Sequence, residues 1–214
     1  MQAPSNRQDV KMAVSERSQD QAQEKPRALA RRRQVLAAAA TCFRRYGFHA
    51  SSMAQIAKEA GMSVGHIYRY FVGKEAIIAA IVRADVEDIM EKMADFPLDS
   101  PNIKANLIER CAEGVMKASD PEQAALMIEI SAEAARNPKV WAVVKEVDVQ
   151  LSAKMREIIA IAVGRPITPA DLEARVEMFH LIFQGMGLRT VINADIDREA
   201  QLRLVILAIN AILT

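Results

Sequence analysis

From Arg31 onward apolar residues recur at helical spacing. Val35, Leu36, Ala39, Cys42 and Phe43 fall on one face, and Gly47 stops the run. Two short helices are predicted between Ser52 and Phe71, then a longer one from about Lys74 through Ile77, Ile78, Ile81, Val82, Val86 and Ile89 to about Met93. Prolines punctuate the remainder. Asp120-Pro121, Asn137-Pro138 and Thr168-Pro169 each read as an N-cap followed by a first-turn proline, which lacks the amide that a helix start leaves unpaired anyway. The remaining helices are expected over 101–118, 121–136, 138–163, 168–192 and 196–213. No segment alternates apolar and polar residues as a half-buried strand does, so the fold class is all-α.

The stretch from Gly47 to Ile77 carries the local chemistry. Ser52 and Gln55 have capping-box spacing, with each side chain placed to pair with the other residue's backbone amide. Gly61 ends that helix as a left-handed cap, and Ser63 starts the next one two residues later. Two helices joined so tightly must cross steeply, and Ala57 supplies a small contact. A wheel for 64–71 puts Val64, Ile67 and Phe71 inward and Gly65, His66 and Arg69 outward, with Tyr68 and Tyr70 on the flanks. Gly65 costs such a helix about 0.8–1 kcal/mol relative to Ala. That cost makes sense where the backbone must lie close against a surface such as a DNA major groove. Lys74 opposes the dipole at the start of its helix, unless a phosphate binds there and reverses the sign.

Composition narrows the class. The chain is 51% hydrophobic but only 5% aromatic, which favours packed helices over a β-sandwich. Cys42 and Cys111 have no metal or redox spacing and read as buried thiols. The net charge of +1 conceals an asymmetry. Residues 1–75 hold 13 Lys and Arg against 6 Asp and Glu, while residues 76–214 hold 15 against 21. A basic head on an acidic body suits a polyanion-binding module. The organisation expected is a disordered polar arm over 1–26, a helix-turn-helix unit over 27–75 and a larger helical domain over 76–214. Lys25, Arg27, Arg31, Arg32 and Arg33 are either a solvated arm or a further phosphate or minor-groove contact. No signal peptide or membrane-spanning run is legible, so the expected compartment is the cytoplasm. The three histidines form no metal spacing and no nucleophile–base arrangement is evident, so neither an enzyme, a metal nor a cofactor is expected.

The motifs GF at 47–48, SS at 51–52, IAKEAGMS at 56–63, GxxY at 65–68, YF at 70–71 and KE at 74–75 resemble the TetR family of transcriptional repressors. The resemblance implies phosphate contacts from Ser52, Ser63, Tyr68, Tyr70 and Lys74. It implies base or groove contacts from Val64, Gly65, His66 and Arg69. His66 stands where the family often has Thr, and Gly73 where it often has a Ser or Asn cap. The implied partners are double-stranded palindromic operator DNA, a second copy of the chain and a small-molecule effector that relieves repression. An activator that senses no small molecule, and a helical interaction scaffold, are the alternatives.

In the C-terminal region, Glu129, Glu133 and Asp148 are either solvated or ion-paired, or they line an effector pocket with Trp141, Phe179, His180 and Phe183. The second arrangement points to a cationic lipophilic effector, and to efflux or stress genes, with anionic or neutral effectors left open. The last two helices are too apolar for a monomer surface. They are expected to form a two-fold four-helix interface through Ile182, Met186, Val205, Ile209 and Ile212.

Overall fold

The computed structural model describes residues 7–193 and 195–214, with side chains described from Pro26 onward. Among the described residues nine helices follow one another: α1 (Arg7–Ala50), α2 (Met53–Glu59), α3 (Val64–Tyr68), α4 (Lys74–Ala94), α5 (Ile103–Ala118), α6 (Pro121–Ala134), α7 (Pro138–Val163), α8 (Pro169–Ile192) and α9 (Arg198–Ile212). No strand occurs among the described residues. The all-α reading holds.

Local chemistry sets most of the boundaries. Asp120, Asn137 and Thr168 accept the amides of Glu122 at 3.0 Å, Lys139 at 3.1 Å and Asp171 at 3.2 Å, each just ahead of a first-turn proline. Caps of this kind contribute about 1 kcal/mol each. Gly164 ends α7 in the left-handed conformation, at φ 67°. The fifth helix starts later than the expected residue 101. The Ser100 hydroxyl takes the Asn102 amide at 3.1 Å and the Asn106 side chain at 3.0 Å, which holds Pro101 and Asn102 in a turn ahead of the helix.

The N-terminal arm needs correction. Residues 1–6 lie outside the described residues, but from Arg7 the backbone is helical and continues through Pro26. This stretch lacks an apolar face, yet Gln, Glu, Ala, Arg and Lys are good helix formers and no glycine interrupts them. A real break in α1 comes at Gly47, with φ 78° and ψ 162°. That region is open essentially to glycine alone.

Packing places the head on the body. Val35, Ala39, Phe43, Ile56, Ala57, Ile67 and Phe71 are buried together with Ile77 and Ile78 of α4. The same cluster continues without a gap across residues 75 and 76 to Leu126 and Ile130 of α6 and to Val140 and Val147 of α7. A second cluster joins Leu107 and Cys111 of α5, Ile158 and Ile159 of α7, Val176 and Phe179 of α8, and Ile209 of α9. Both cysteines are buried and unpaired, and burial pushes the Cys111 thiol up to about 12.

Replacing Gly47 forces a side chain into that glycine-only conformation, and the new Cβ also comes 3.3 Å from Glu129 Oε1. Gly47→Ala is expected to lose about 1–3 kcal/mol of stability, read as a shift in the urea unfolding midpoint at unchanged slope.

Candidate nucleic-acid interface

The helix-turn-helix is built as its sequence dictates. The Ser52 hydroxyl accepts the Gln55 amide at 3.2 Å, and the Gln55 carboxamide accepts the Ser52 amide at 2.7 Å, which completes the capping box. At the other end of α2, the Met62 amide reaches the Ala57 carbonyl at 2.9 Å and the Gly61 amide reaches Lys58 at 3.1 Å. This pair of bonds is a Schellman cap, and it requires the positive φ of 62° that Gly61 adopts. Ser63 then caps α3 by accepting the His66 amide at 3.2 Å. A side-chain bond from Gln34 to the Ala60 carbonyl, at 2.7 Å, ties α1 to the turn.

Helix α3 has five residues, and Ile67 is the one it buries. Burial of that side chain contributes about 1.5–3 kcal/mol, so α3 is held to the head mainly through Ile67 and through Phe71 just beyond it. Most of the rest of α3 is open to solvent. Val64, Gly65, Tyr68 and Arg69 are exposed, as are Ser52 and Ser63 at the two helix starts. Val64 was expected on the inward face. It is 38% exposed because it opens the helix, one turn before the chain reaches the core.

A Cβ built at Gly65 meets nothing within 4 Å, so its glycine answers no need of the fold itself. The exposed strip from Val64 to Val72 carries no acidic side chain, while Lys58, Arg31, Arg32 and Arg33 are exposed on α2 and α1. The Arg32 guanidinium lies 4.6 Å from the centre of the Phe71 ring, which anchors part of this positive rim.

Three expected contact residues are engaged internally. Half-buried Tyr70 has its hydroxyl 3.3 Å from His66 Nε2, with the rings 5.4 Å apart. Lys74 points back rather than out. Its ammonium donates to the Phe48 carbonyl at 2.5 Å and to the His49 carbonyl at 3.2 Å, and lies 4.6 Å over the Phe48 ring. Those carbonyls close the C-terminal end of α1, where a cation is favourable. The charge that opposes the dipole of α4 therefore complements that of α1. An ammonium has three donors, so at most one remains for a phosphate.

The expected effector residues do not converge. Glu129 accepts the Phe48 amide at 2.5 Å, and buried Glu133 lies 2.9 Å from His49 Nε2, so both carboxylates serve the junction with the head. Asp148 pairs with Lys145 at 2.9 Å on the surface, and Trp141 is 56% exposed. Phe179 is core, the His180 ring is 3.0 Å from the Ser152 hydroxyl, and Phe183 packs against Gly114. The acidic lining that suggested a cationic effector and an efflux or stress target is absent from any one site.

The expected interface residues divide between the interior and the surface. Met186 and Ile209 are buried within the chain, and Ile182, Val205 and Ile212 are half-buried. On the same helices, Leu181, Leu188, Ile192, Leu204 and Leu207 are exposed. Both sides of α8 and α9 are apolar, and periodicity alone does not say which side faces the chain's own core.

Comparison with known proteins agrees with this geometry. Residues 35–81, from the middle of α1 into α4, match the pattern of the bacterial regulatory proteins of the tetR family. Over 170 residues the chain is 30% identical to the HTH-type transcriptional regulator UidR of Escherichia coli (strain K12), covering 79% of this chain and 85% of UidR. The chain belongs to the tetR family of DNA-binding transcriptional regulators. The structure of Salmonella enterica GusR, 29% identical, superposes with a TM-score of 0.68 over 86% of this chain and 96% of GusR. FadR from Bacillus subtilis, solved in complex with stearoyl-CoA, shares the fold at 20% identity and a TM-score of 0.70, covering 82% of this chain and 96% of FadR. A 58-residue stretch is 40% identical to the HTH-type transcriptional repressor Rv1474c of Mycobacterium tuberculosis, covering 27% of this chain and 31% of Rv1474c. Among the described residues no helix is long and apolar enough to cross a membrane.

Gly65 separates fold from function. Gly65→Ala is expected to stabilise the protein by about 0.5–1 kcal/mol, since Ala suits a helix better and meets no neighbour. The same change is expected to weaken DNA binding if this surface is the one that the family resemblance implies for the groove, because the added methyl enters it. A melting curve and a DNA titration of one preparation check both signs.

Proposed function

We propose that this protein is a homodimeric repressor that seats paired α3 helices in successive major grooves of a palindromic operator and is released by a small molecule bound in its C-terminal domain. The observation that carries the reading is the exposed, acid-free face of α3, with open space over Gly65 and capping hydroxyls at both helix starts. Tyr68, exposed on the flank, and Ser52 and Ser63 serve phosphates, while Val64, Gly65, His66 and Arg69 meet the groove. Repression is the direction that the printed name of the Rv1474c relative supports. FadR with its stearoyl-CoA supports a ligand-taking C-terminal domain in this fold, and at 20% identity says nothing of which ligand this chain takes. A regulator of chromosomal DNA works in the cytoplasm.

The dimer forms through the outer faces of α8 and α9. Leu181, Leu188 and Ile192 of one and Leu204 and Leu207 of the other leave an apolar surface too continuous for a monomer in water. At Gly185 a Cβ would meet nothing within 4 Å, which leaves room for a partner helix to approach closely. Two-fold symmetry then presents two α3 helices to half-sites one helical turn, or a multiple of it, apart.

Selection of DNA from a random pool by the purified protein is expected to enrich an inverted repeat. The enrichment should disappear in a Tyr68→Ala/Arg69→Ala variant, and wild-type affinity should fall steeply with salt. A pool returned without enrichment, with variant and wild type alike, would favour an interaction scaffold instead. In a separate measurement, Leu204→Glu/Leu207→Glu should sediment as a folded monomer, since both side chains are exposed and neither supports the chain's own core. A dimer that survives both substitutions would move the interface elsewhere.

A further inference from the structure

We propose that Glu129 and Glu133 of α6 are positioning residues for operator recognition: together they latch the turn between α1 and α2 and so fix the pose of the DNA-binding head on the effector domain. The inference rests on the reading of the head as the operator-binding unit.

The two carboxylates are four residues apart, one helical turn, and reach adjacent residues of the same turn. Glu129 Oε1 accepts the backbone amide of Phe48 at 2.5 Å, across 81 residues of sequence. From the other side, the Lys74 ammonium binds the carbonyl of that same residue at 2.5 Å. Phe48 is thus gripped at both its main-chain polar groups, by α6 at the amide and by α4 at the carbonyl. Its ring is buried, 5.3 Å from that of Phe43. Gly47 makes the approach possible, because a Cβ there would stand 3.3 Å from the Glu129 oxygen.

Glu133 is 1% exposed. Its Oε1 accepts from the Asn137 amide group at 2.8 Å, and its Oε2 lies 2.9 Å from His49 Nε2 and 3.5 Å from Arg136 Nε. Arg136 Nε also donates to His49 Nε2 at 3.3 Å, so the guanidinium bridges the carboxylate and the imidazole. Glu133 Oε2 makes no hydrogen bond of its own among the described residues, and its hold on the turn is this close approach to His49 and Arg136.

Burying a carboxylate stabilises a fold no better than a well-packed apolar side chain of the same size. What it adds is fixed geometry. An apolar contact between α1 and α6 can slide, whereas these bonds set where the turn sits. The turn leads straight into the interface. The Ser51 hydroxyl donates to the Gly47 carbonyl at 2.8 Å, and the next residue is Ser52, the cap of α2. Movement of α6 therefore reaches α2 and α3 through a short chain of bonds, in addition to any path along α4.

The test uses the full-length protein and the operator enriched by selection. Glu129→Ala and, separately, His49→Ala are compared with wild type, the second removing only an exposed partner and leaving the core untouched. Each is expected to lower operator affinity at least fivefold and to speed amide hydrogen exchange across 47–72 at least tenfold, with α7 and α9 unchanged. Glu129→Gln keeps the accepting oxygen and should restore the affinity that Glu129→Ala loses. Variants that bind the operator within twofold of wild type overturn the proposal, whether or not exchange quickens. An equal affinity loss in Glu129→Gln and Glu129→Ala does so as well. A wild type that enriches no sequence is a different failure: it removes the operator-binding reading itself, and the exchange data would then describe a purely structural clamp.

Discussion

A five-residue helix does not hold itself together in water, because its nucleation cost exceeds what so few hydrogen bonds return. The face proposed to meet DNA therefore depends on the core beneath it. Ile67 and Phe71 fasten α3 to Val35, Ala39 and Phe43 of α1 and to Ile56 and Ala57 of α2. The caps at Ser52, Gly61 and Ser63 then fix where each short helix starts and stops. With its inner side committed in this way, the outer side of α3 can be chosen for a ligand alone. Gly65 shows the consequence, being a poor helix residue in a place where the fold has room for any side chain.

The same core does not end with the head. Ile77 and Ile78 carry it into α4, and Leu126 and Ile130 carry it into α6, so head and body share one packed interior. Where two parts of a regulator are packed this closely, they cannot move independently. A shift in either must be absorbed at the seam, and the polar contacts of the seam decide how. Lys74, Glu129, Glu133 and Arg136 are charged groups that reach the turn at Phe48 and His49.

Much of this was legible from residue order. Helix starts with a capping side chain and a following proline were placed to within a residue or so, since both signals act over one turn of chain. The capping box and the left-handed glycine of the helix-turn-helix were equally local, and they were found. The misreadings concern contacts between distant residues. Glu129 and Glu133 carry no mark of a partner more than 80 residues away, and an acidic pair on an apolar helix fits a pocket wall as well as a latch. Lys74 was aimed at a phosphate because its own helix dipole was weighed, while the end of α1 lying across from it could not be seen. For α8 and α9, two apolar faces gave two admissible rotations, and only packing distinguishes Ile209 inside from Leu207 outside.

Those two-faced helices also constrain how regulation works. The inner side of α8 is anchored to α5 and α7 through Phe179, Phe183 and His180, and its outer side is committed to the partner copy in the dimer proposed for this protein. A small molecule that wedges against the inner side cannot push α8 outward without opening the dimer. On the side away from the partner α8 packs on α6, and α6 packs in turn on α1, so a displaced α6 would connect α8 to the head. Differential binding worth about 1.4 kcal/mol changes an equilibrium tenfold, so a modest preference for a displaced α6 is enough to alter operator occupancy. The acidic residues that first suggested a ligand's charge partner are then better understood as the far end of its lever.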